Sequence, residues 1–199
     1  LILTVNLPFR DTDIREIFGK YTGIPVHLGN DANCAALGEA LCGGAKGAET
    51  SVTVTLGTGV GGGIIINGCI YTGYNGAAGE LGHMVVRKGG EKCSCGRKGC
   101  FEAYASATAL IRETRKAAAA HPESLINELC GSDPDKINGK TAFDAMRAGD
   151  KVGAALVKRY IKDLGEGIIN YINIFQPEVV LIGGGISKEG EGLLKPLRR

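Results

Sequence analysis

The sequence lacks several features that would assign the protein to a particular class. No apolar run reaches the ~18 residues that a membrane-spanning helix needs, and no signal-peptide pattern opens the chain. Charge of neither sign is in excess, because 23 Lys and Arg stand against 21 Asp and Glu, and a net charge of +2 gives no sign of a nucleic-acid partner. The chain opens on Leu1 without an initiator methionine, so we expect a piece of a longer, cytoplasmic protein.

Glycine, by contrast, is abundant, at 32 of 199 residues, where an average protein has roughly 7%. It does not recur at every third position, which excludes a collagen-like chain, and a hydrophobic content of 44% excludes general disorder. The glycines cluster at residues 57–63, at residues 183–185, and beside cysteines at Gly96 and Gly99. Because glycine allows positive φ angles and close approach of the backbone, these clusters predict ligand-binding loops.

Strand-like and helix-like segments alternate along the chain and predict a single α/β domain over residues 1–199. We expect strands at residues 23–28, 51–56, 64–66 and 179–182, the last one buried, and helices at residues 11–21, 31–41, 101–120, 141–148 and 152–175. Asp11 or Thr12 is placed to cap the first helix. In the last helix, apolar residues at spacings near four predict a core-facing stripe: Val152, Leu156, Tyr160, Leu164, Ile168 and Ile172.

Three thiols fall within eight residues, at Cys93, Cys95 and Cys100, and His83 lies ten residues before the first of them. Zinc prefers four tetrahedral ligands drawn from thiolates and imidazoles, so these side chains predict a zinc site. Four protein ligands leave no open position for water or substrate, so we expect a structural zinc that fixes the loop. The alternative is three reduced structural cysteines, or one disulfide and one free thiol. The other cysteines have apolar neighbours and are expected to be buried: Cys34, Cys42, Cys69 and Cys130.

The run Gly57-Thr58-Gly59-Val60-Gly61-Gly62 matches the Gly-x-Gly-x-x-Gly pattern of dinucleotide-binding folds, which requires a helix next. Three isoleucines and an Asn-Gly turn follow instead, so that function is excluded. A glycine-rich hairpin loop can still present backbone N–H groups to a phosphate, with Thr58 adding a hydroxyl; the alternative is a tight hairpin without a ligand. Gly183-Gly184-Gly185 follows a predicted strand, where α/β sheets bind ligands, although a plain strand-to-helix turn would use the same residues.

Asp31 follows Asn30 at a predicted strand-to-helix junction. An aspartate there can cap the helix, or it can act as a general base at the carboxyl edge of the sheet. The residue by itself does not separate these two roles.

Taken together, five segments resemble the ROK family of sugar kinases and repressors, most closely its bacterial glucokinases. They occur in the family's order and cover nearly the whole chain: Asn30-Asp31-Ala32-Asn33 with Ala35-Ala36-Leu37-Gly38-Glu39; Thr55-Leu56-Gly57-Thr58-Gly59-Val60-Gly61-Gly62-Gly63; Gly79-Glu80-Leu81-Gly82-His83; Cys93-x-Cys95-Gly96-x-x-Gly99-Cys100-x-Glu102; and Gly183-Gly184-Gly185-Ile186-Ser187. The Glu-x-Gly-His segment together with the cysteine cluster is highly specific to this family.

The resemblance implies an α/β, actin-like and hexokinase-like (ribonuclease H-like) fold with a zinc-binding loop. It implies ATP-dependent phosphorylation of a hexose, glucose to glucose 6-phosphate, with Mg²⁺ accompanying ATP, by an enzyme that forms a homodimer. Asp31 would be the catalytic base, and the sugar hydroxyls would bind to Asn30, Asp31, Glu80, His83 and Glu102. Zinc would be held by His83, Cys93, Cys95 and Cys100. The ATP phosphates would meet Gly57, Thr58 and Gly59, and the adenosine site would be lined by Gly183, Gly184 and Gly185.

Family members carry an upstream Asp-x-Gly-Gly-Thr phosphate loop in a smaller N-terminal domain, and this sequence contains no such motif. The C-terminal helix that packs back on that domain is also not found. We therefore expect the chain to be the larger C-terminal domain, with half of the interdomain cleft and no kinase activity by itself. The alternative functions are the sugar-sensing domain of a ROK repressor, whose DNA-binding helices would lie upstream, and a zinc-stabilised sugar-binding module without catalysis.

Overall fold

The structure is a computed structural model that describes residues 12–199. The described backbone falls into two compact units, one ending at Asn30 and the other running over Asp31–Arg199. The first unit contains helix α1 (Ile14–Thr22), which begins where the Asp13 carboxylate accepts a hydrogen bond from the Glu16 N–H, 3.1 Å away. The helix is therefore capped by Asp13 and not by Thr12 as predicted, and the other candidate, Asp11, lies outside the described residues.

Residues 23–28 form no strand, contrary to the prediction. A strand needs a neighbour to accept and donate its backbone hydrogen bonds. Among the described residues, this segment takes part in no strand pairing.

The second unit alternates strands and helices, which confirms the predicted α/β class. Its strands are β1 (Ser51–Leu56), β2 (Val60–Ile66), β3 (Cys69–Ile70) and β4 (Val179–Gly184). Its helices are α2 (Asp31–Cys42), α3 (Glu102–Ala105), α4 (Ala107–Ala120), α5 (Leu125–Leu129), α6 (Thr141–Arg147), α7 (Lys151–Phe175) and α8 (Glu191–Leu197), with 3₁₀ turns over Leu81–His83, Pro134–Lys136 and Gly185–Glu189. Among the residues described, no helix has the length and apolar character needed to cross a membrane.

The four strands form one mixed sheet in the order β3-β2-β1-β4. β1 and β2 are an antiparallel hairpin in which Leu56 pairs with Val60 across a three-residue loop. β4 runs parallel to β1, and its Gly184 also pairs with Leu56. Because β4 is an edge strand of this sheet, its residues are half-buried rather than buried as predicted.

Helices cover both faces of the sheet. α2 packs on β1 and β2, while the apolar side chains of β1 join one buried cluster with the helices of the other layer. In that layer the rings of Phe143 in α6 and Tyr160 in α7 meet edge to face, 6.4 Å apart. This layer supplies two of the three largest fully buried side chains, Tyr171 and Phe143.

Helix α7 confirms the predicted helix, but the predicted stripe holds only in part. Leu156, Tyr160 and Leu164 are buried, whereas Ile172 is 40% exposed and its neighbour Tyr171 is buried instead. The reason is geometric, since four residues turn an α-helix by about 400°, which drifts by roughly 40° at each step. Residues that recur at every fourth position over 20 residues therefore rotate gradually away from the buried face of the helix.

Two further predictions are wrong. The helix expected over residues 101–120 is broken at Ser106, whose backbone is extended and whose hydroxyl caps α4 by accepting from Ala109 N–H, 3.1 Å away. Of the four cysteines expected to be buried, Cys130 is buried but Cys34, Cys42 and Cys69 are exposed. A cysteine with apolar neighbours in sequence can still be exposed. Successive residues of a helix point to different sides, and successive residues of a strand point to opposite faces of the sheet.

Candidate functional site

Four donor side chains meet in one cluster, as the sequence predicts: His83, Cys93, Cys95 and Cys100. Their ligand atoms all lie within 4.8 Å of one another. The Cys95 and Cys100 sulfur atoms are 3.7 Å apart, and the Cys93 sulfur lies 3.6 Å from His83 Nδ1. All three thiols are free, so the predicted alternative of a disulfide is not seen here. The cluster could hold a metal ion.

The loop that carries the thiols is shaped by tight turns. The Cys93 N–H donates to the Arg97 carbonyl at 2.9 Å, and the Gly96 N–H donates back to the Cys93 carbonyl at 3.0 Å. Gly96 and Gly99 have φ angles of 88° and 84°, which side chains other than glycine rarely adopt. A Cβ atom on Gly99 would also collide with the Arg87 carbonyl. Glycines therefore flank the thiols because the chain must reverse twice to bring them together.

The cluster perturbs the acidity of its own thiols. A backbone hydrogen bond from Arg97 lowers the pKa of Cys95. Burial, followed by hydrogen bonding to Cys95, raises the pKa of Cys100 to about 12. Cysteine ligates metals as the thiolate, so metal binding would release these protons.

Glu102 connects the cysteine loop to the glycine-rich hairpin. Its Oε1 atom accepts hydrogen bonds from the Ser94 hydroxyl at 3.0 Å and from the Cys93 thiol at 3.6 Å. Its Oε2 atom accepts from the Val60 N–H at 3.0 Å, at the first residue of β2. Sequence reasoning missed Ser94, although its place between two ligand cysteines is a signal that could have found it.

Glu80 and His83 flank a single 3₁₀ turn, with Glu80 exposed just before it and His83 half-buried at its end. The Tyr171 hydroxyl in α7 donates to the Leu81 carbonyl in this turn, 2.8 Å away. Tyr171 is fully buried, so the core of the helical layer fixes the turn directly. No sequence signal marked Tyr171, because 90 residues separate it from its partner.

The glycine-rich run divides into a loop and a strand. Only Gly57, Thr58 and Gly59 form the hairpin loop, closed by a 3.0 Å hydrogen bond from the Gly57 N–H to the Gly59 carbonyl. The next three glycines belong to β2, where a side chain would collide with a neighbouring element: Gly61 and Gly63 lie against Ala32 and Ala36 of α2, and Gly62 against Leu81. The excess of glycine in this run is therefore largely a packing requirement, and it does not by itself indicate a ligand.

The second glycine segment lies beside this loop. Gly183 and Gly184 close strand β4, and Gly185 begins the following 3₁₀ turn. Gly184 has a φ of 85°, and a Cβ atom there would collide with the Leu56 carbonyl. Since Leu56 is the residue before the loop, the carboxyl ends of the parallel strands β1 and β4 bring both glycine segments to one edge of the sheet.

Asp31 is the first residue of α2 and is exposed, with its Oδ1 atom accepting from the Ala32 N–H at 2.9 Å. Ala32 lies against Gly61, two residues after the hairpin loop. The start of α2 is therefore at the sheet edge that carries the loop. Asn30 precedes Asp31 directly in the chain and ends the other unit.

Comparisons with known proteins identify relatives that match nearly the whole chain. The ROK family pattern matches residues 1–199. The glucokinase of Thermotoga maritima is 45% identical over 193 residues, which are 97% of this chain and 59% of that protein. The xylose repressor of Bacillus subtilis is 32% identical, over 100% of this chain and 47% of that protein.

Among solved structures, a ROK family glucokinase from Streptomyces griseus in complex with glucose and AMPPNP has a TM-score of 0.90 and 37% identity, covering 99% of this chain and 64% of that one. The chain thus spans about three-fifths of the length of the glucokinases that it resembles. The match of the family over every residue, on the α/β fold described above, shows that this chain belongs to the ROK family.

Proposed function

We propose that this chain is the larger domain of an ATP-dependent hexose kinase, which converts glucose to glucose 6-phosphate. One observation carries the proposal: Asp31 and both glycine segments lie at the same edge of one sheet. A base and a phosphate-binding loop at one edge suit the transfer of a phosphoryl group to a hydroxyl. The likeness to the glucokinase bound to glucose and AMPPNP supports it.

In this mechanism Asp31 is the general base. A sugar hydroxyl is a weak nucleophile, and a carboxylate that accepts its proton during transfer assists the attack on the γ-phosphoryl group. The hydrogen bond from the Ala32 N–H holds one carboxylate oxygen of Asp31, which leaves the other for the hydroxyl. The base thus has a fixed orientation before the substrate arrives.

As the family resemblance implies, the sugar hydroxyls would bind to five polar side chains: Asn30, Asp31, Glu80, His83 and Glu102. Carboxylates accept hydrogen bonds from hydroxyls, and a substrate that lacks a hydroxyl leaves them unpaired, which gives selectivity. The phosphates of MgATP would meet Gly57, Thr58 and Gly59, and the adenosine would lie along Gly183, Gly184 and Gly185. Bare backbone in both segments lets a large anionic ligand come close.

Zinc is the metal that best fits the cysteine cluster. A tetrahedral zinc ion with Zn–S bonds of about 2.3 Å and Zn–N bonds of about 2.1 Å needs two sulfur atoms about 3.8 Å apart and a sulfur and a nitrogen about 3.6 Å apart. The 3.7 Å between the Cys95 and Cys100 sulfur atoms and the 3.6 Å between the Cys93 sulfur and His83 Nδ1 agree with these values. Three thiolates and one imidazole fill the coordination sphere, so zinc would be structural and would fix the loop between His83 and Glu102. His83 would bind it through Nδ1, leaving Nε2 for a sugar hydroxyl.

The test uses the complete protein with Asp31→Ala and Asp31→Asn. We expect kcat to fall by orders of magnitude while glucose still binds, since the proton acceptor is removed but the other proposed sugar contacts, at Asn30, Glu80, His83 and Glu102, remain. The control is Glu49→Gln, which changes an exposed carboxylate beyond the end of α2. This variant should phosphorylate glucose with a normal kcat. Near-normal kcat in the Asp31 variants would remove Asp31 as the base.

The 199-residue chain alone is proposed to be inactive, because it carries half of the interdomain cleft. A coupled assay should give no glucose-dependent ATP turnover, and turnover would refute that part. A cytoplasmic homodimer is proposed for the complete protein, to be checked by sedimentation.

The second candidate function is the sugar-sensing domain of a ROK repressor. The 32% identity to a xylose repressor over the whole chain favours it. The coding sequence upstream of Leu1 separates the two: an Asp-x-Gly-Gly-Thr segment supports the kinase, and a helix-turn-helix supports the repressor.

A further inference from the structure

The backbone of the hairpin loop at residues 57–59 accepts hydrogen bonds from the junction of α3 and α4. The Ala107 N–H donates to the Gly57 carbonyl at 2.8 Å. The Thr108 hydroxyl donates to the Thr58 carbonyl, also at 2.8 Å. Two successive peptide groups of the loop are therefore fixed through their oxygen atoms.

Fixing these carbonyls also fixes the direction of the next N–H groups. In a planar trans peptide the C=O and N–H bonds point in opposite directions, and no peptide of the described chain is cis. The Thr58 N–H therefore points away from Ala107, and the Gly59 N–H points away from the Thr108 hydroxyl. Neither N–H donates to an acceptor among residues 12–199.

The third N–H of the loop region is already used. The Val60 N–H donates to Glu102 Oε2 at 3.0 Å, and a carboxylate at that position repels a second anion. An anion at the loop would thus be limited to two backbone donors, the amides of Thr58 and Gly59. Successive free N–H groups of this kind form an anion-binding concavity.

We propose that Thr108 is a positioning residue, which orients the Thr58 and Gly59 amides toward a phosphate group of the nucleotide. The identity of the anion rests on the proposed function. The orientation of the amides rests on the two carbonyl contacts alone. Thr108 itself lies on the carbonyl side of the loop and does not touch the phosphate.

The experiment titrates the ¹⁵N-labelled 199-residue chain with MgADP and, separately, with pyrophosphate, and follows the amide resonances of Thr58 and Gly59. Both should shift in the wild-type chain. Thr108→Val, which keeps the shape and loses the donor, should weaken binding about 5–10-fold, the usual effect of one lost hydrogen bond. Thr108→Ser, which restores the hydroxyl, should bind within about twofold of wild type.

Thr114→Val is the matched control, because the Thr114 hydroxyl in the same helix donates only to the Leu110 carbonyl of its own helix. It should bind like wild type. If Thr108→Val does not fold, Thr108→Ala removes the same hydroxyl donor and replaces it in the experiment. In the complete kinase, Thr108→Val should raise the KM for ATP and leave the KM for glucose unchanged.

The proposal is overturned if Thr108→Val binds MgADP like wild type, or if Thr108→Ser is weakened as much as Thr108→Val. It is also overturned if neither ligand shifts the two amides in the wild-type chain. Failure of the proposed kinase function has a different signature, which is the absence of glucose-dependent ATP turnover by the complete wild-type protein, with the loop results unaffected.

Discussion

The cysteine loop and the helical layer behind it are held together by different forces. Residues 84–101 contain no helix and only two isolated bridges, and the loop depends on turns, glycines and the four donor groups around His83. Helices α4 to α7 depend on large buried side chains such as Phe143 and Leu164. A loop with so few apolar side chains cannot bury enough surface to order itself, so a metal ion would replace the missing core. A substitution in one region should therefore disturb that region and leave the structure of the other intact. Four substitutions test this expectation.

The largest effect is expected for Cys95→Ser, which removes one donor of the cluster. Metal analysis should fall from about one zinc per chain to none, because three ligands bind zinc far more weakly. Amides of residues 84–101 should exchange at least tenfold faster, while those of α7 stay protected. Cys34→Ser, at an exposed thiol on α2, is the control and should keep its zinc. Zinc retained in Cys95→Ser would refute the ligand set.

Phe143→Ala removes a buried ring from the helical layer. Its ring is fully buried and contacts Tyr160, so the free energy of unfolding measured in urea should fall by about 3–5 kcal/mol. The folded fraction should still bind one zinc per chain. Loss of zinc from folded Phe143→Ala would show that the two regions are not independent.

Asp150→Ala removes a polar link within the helical layer. The Asp150 carboxylate accepts from the Gly153 N–H at 2.6 Å, capping α7, and from the Leu125 N–H at 3.0 Å. We expect a loss of about 1–2 kcal/mol at neutral pH. Asp133→Ala, at the cap of a three-residue 3₁₀ turn, should cost less.

The loss in Asp150→Ala should depend on pH. Burial opposes ionisation, but the hydrogen bonds from Gly153 and Leu125 outweigh it and lower the pKa of Asp150 in the folded chain. A carboxylate with a depressed pKa stabilises the fold above its unfolded pKa and loses that effect as the pH falls. The difference between wild type and variant should thus be constant above about pH 5 and shrink below about pH 4. A difference independent of pH would contradict a role for the charge.

The smallest effect is expected for Tyr171→Phe, at the boundary of the two regions. Losing the hydrogen bond to the Leu81 carbonyl should cost about 1 kcal/mol and also weaken zinc binding a few-fold, since that turn carries His83. Tyr160→Phe loses an equivalent bond, to the Ala105 carbonyl, and should cost the same without affecting zinc. Equal zinc affinity in both variants would show that Tyr171 does not support the turn.

Local pattern predicted much of the fold and part of the site. The β1–β2 hairpin, α2 and α7 follow from alternation, alanine content and apolar periodicity, and the metal donors follow from thiol spacing. Ser106 was missed because a single N-cap broke an otherwise continuous helical pattern. The strand expected at residues 23–28 was wrong because a strand exists only where another strand pairs with it.

The sequence by itself determined which chemical groups are present and how local segments fold, because turns, helices and donor spacing depend on near neighbours in the chain. Only the tertiary structure decided that Gly61, Gly62 and Gly63 serve packing, that Tyr171 supports the turn that ends at His83, and that Thr108 reaches the Thr58 carbonyl. Those contacts join residues 50 or more positions apart or depend on how closely two elements approach. Packing of the whole core sets such distances, and no local pattern encodes them.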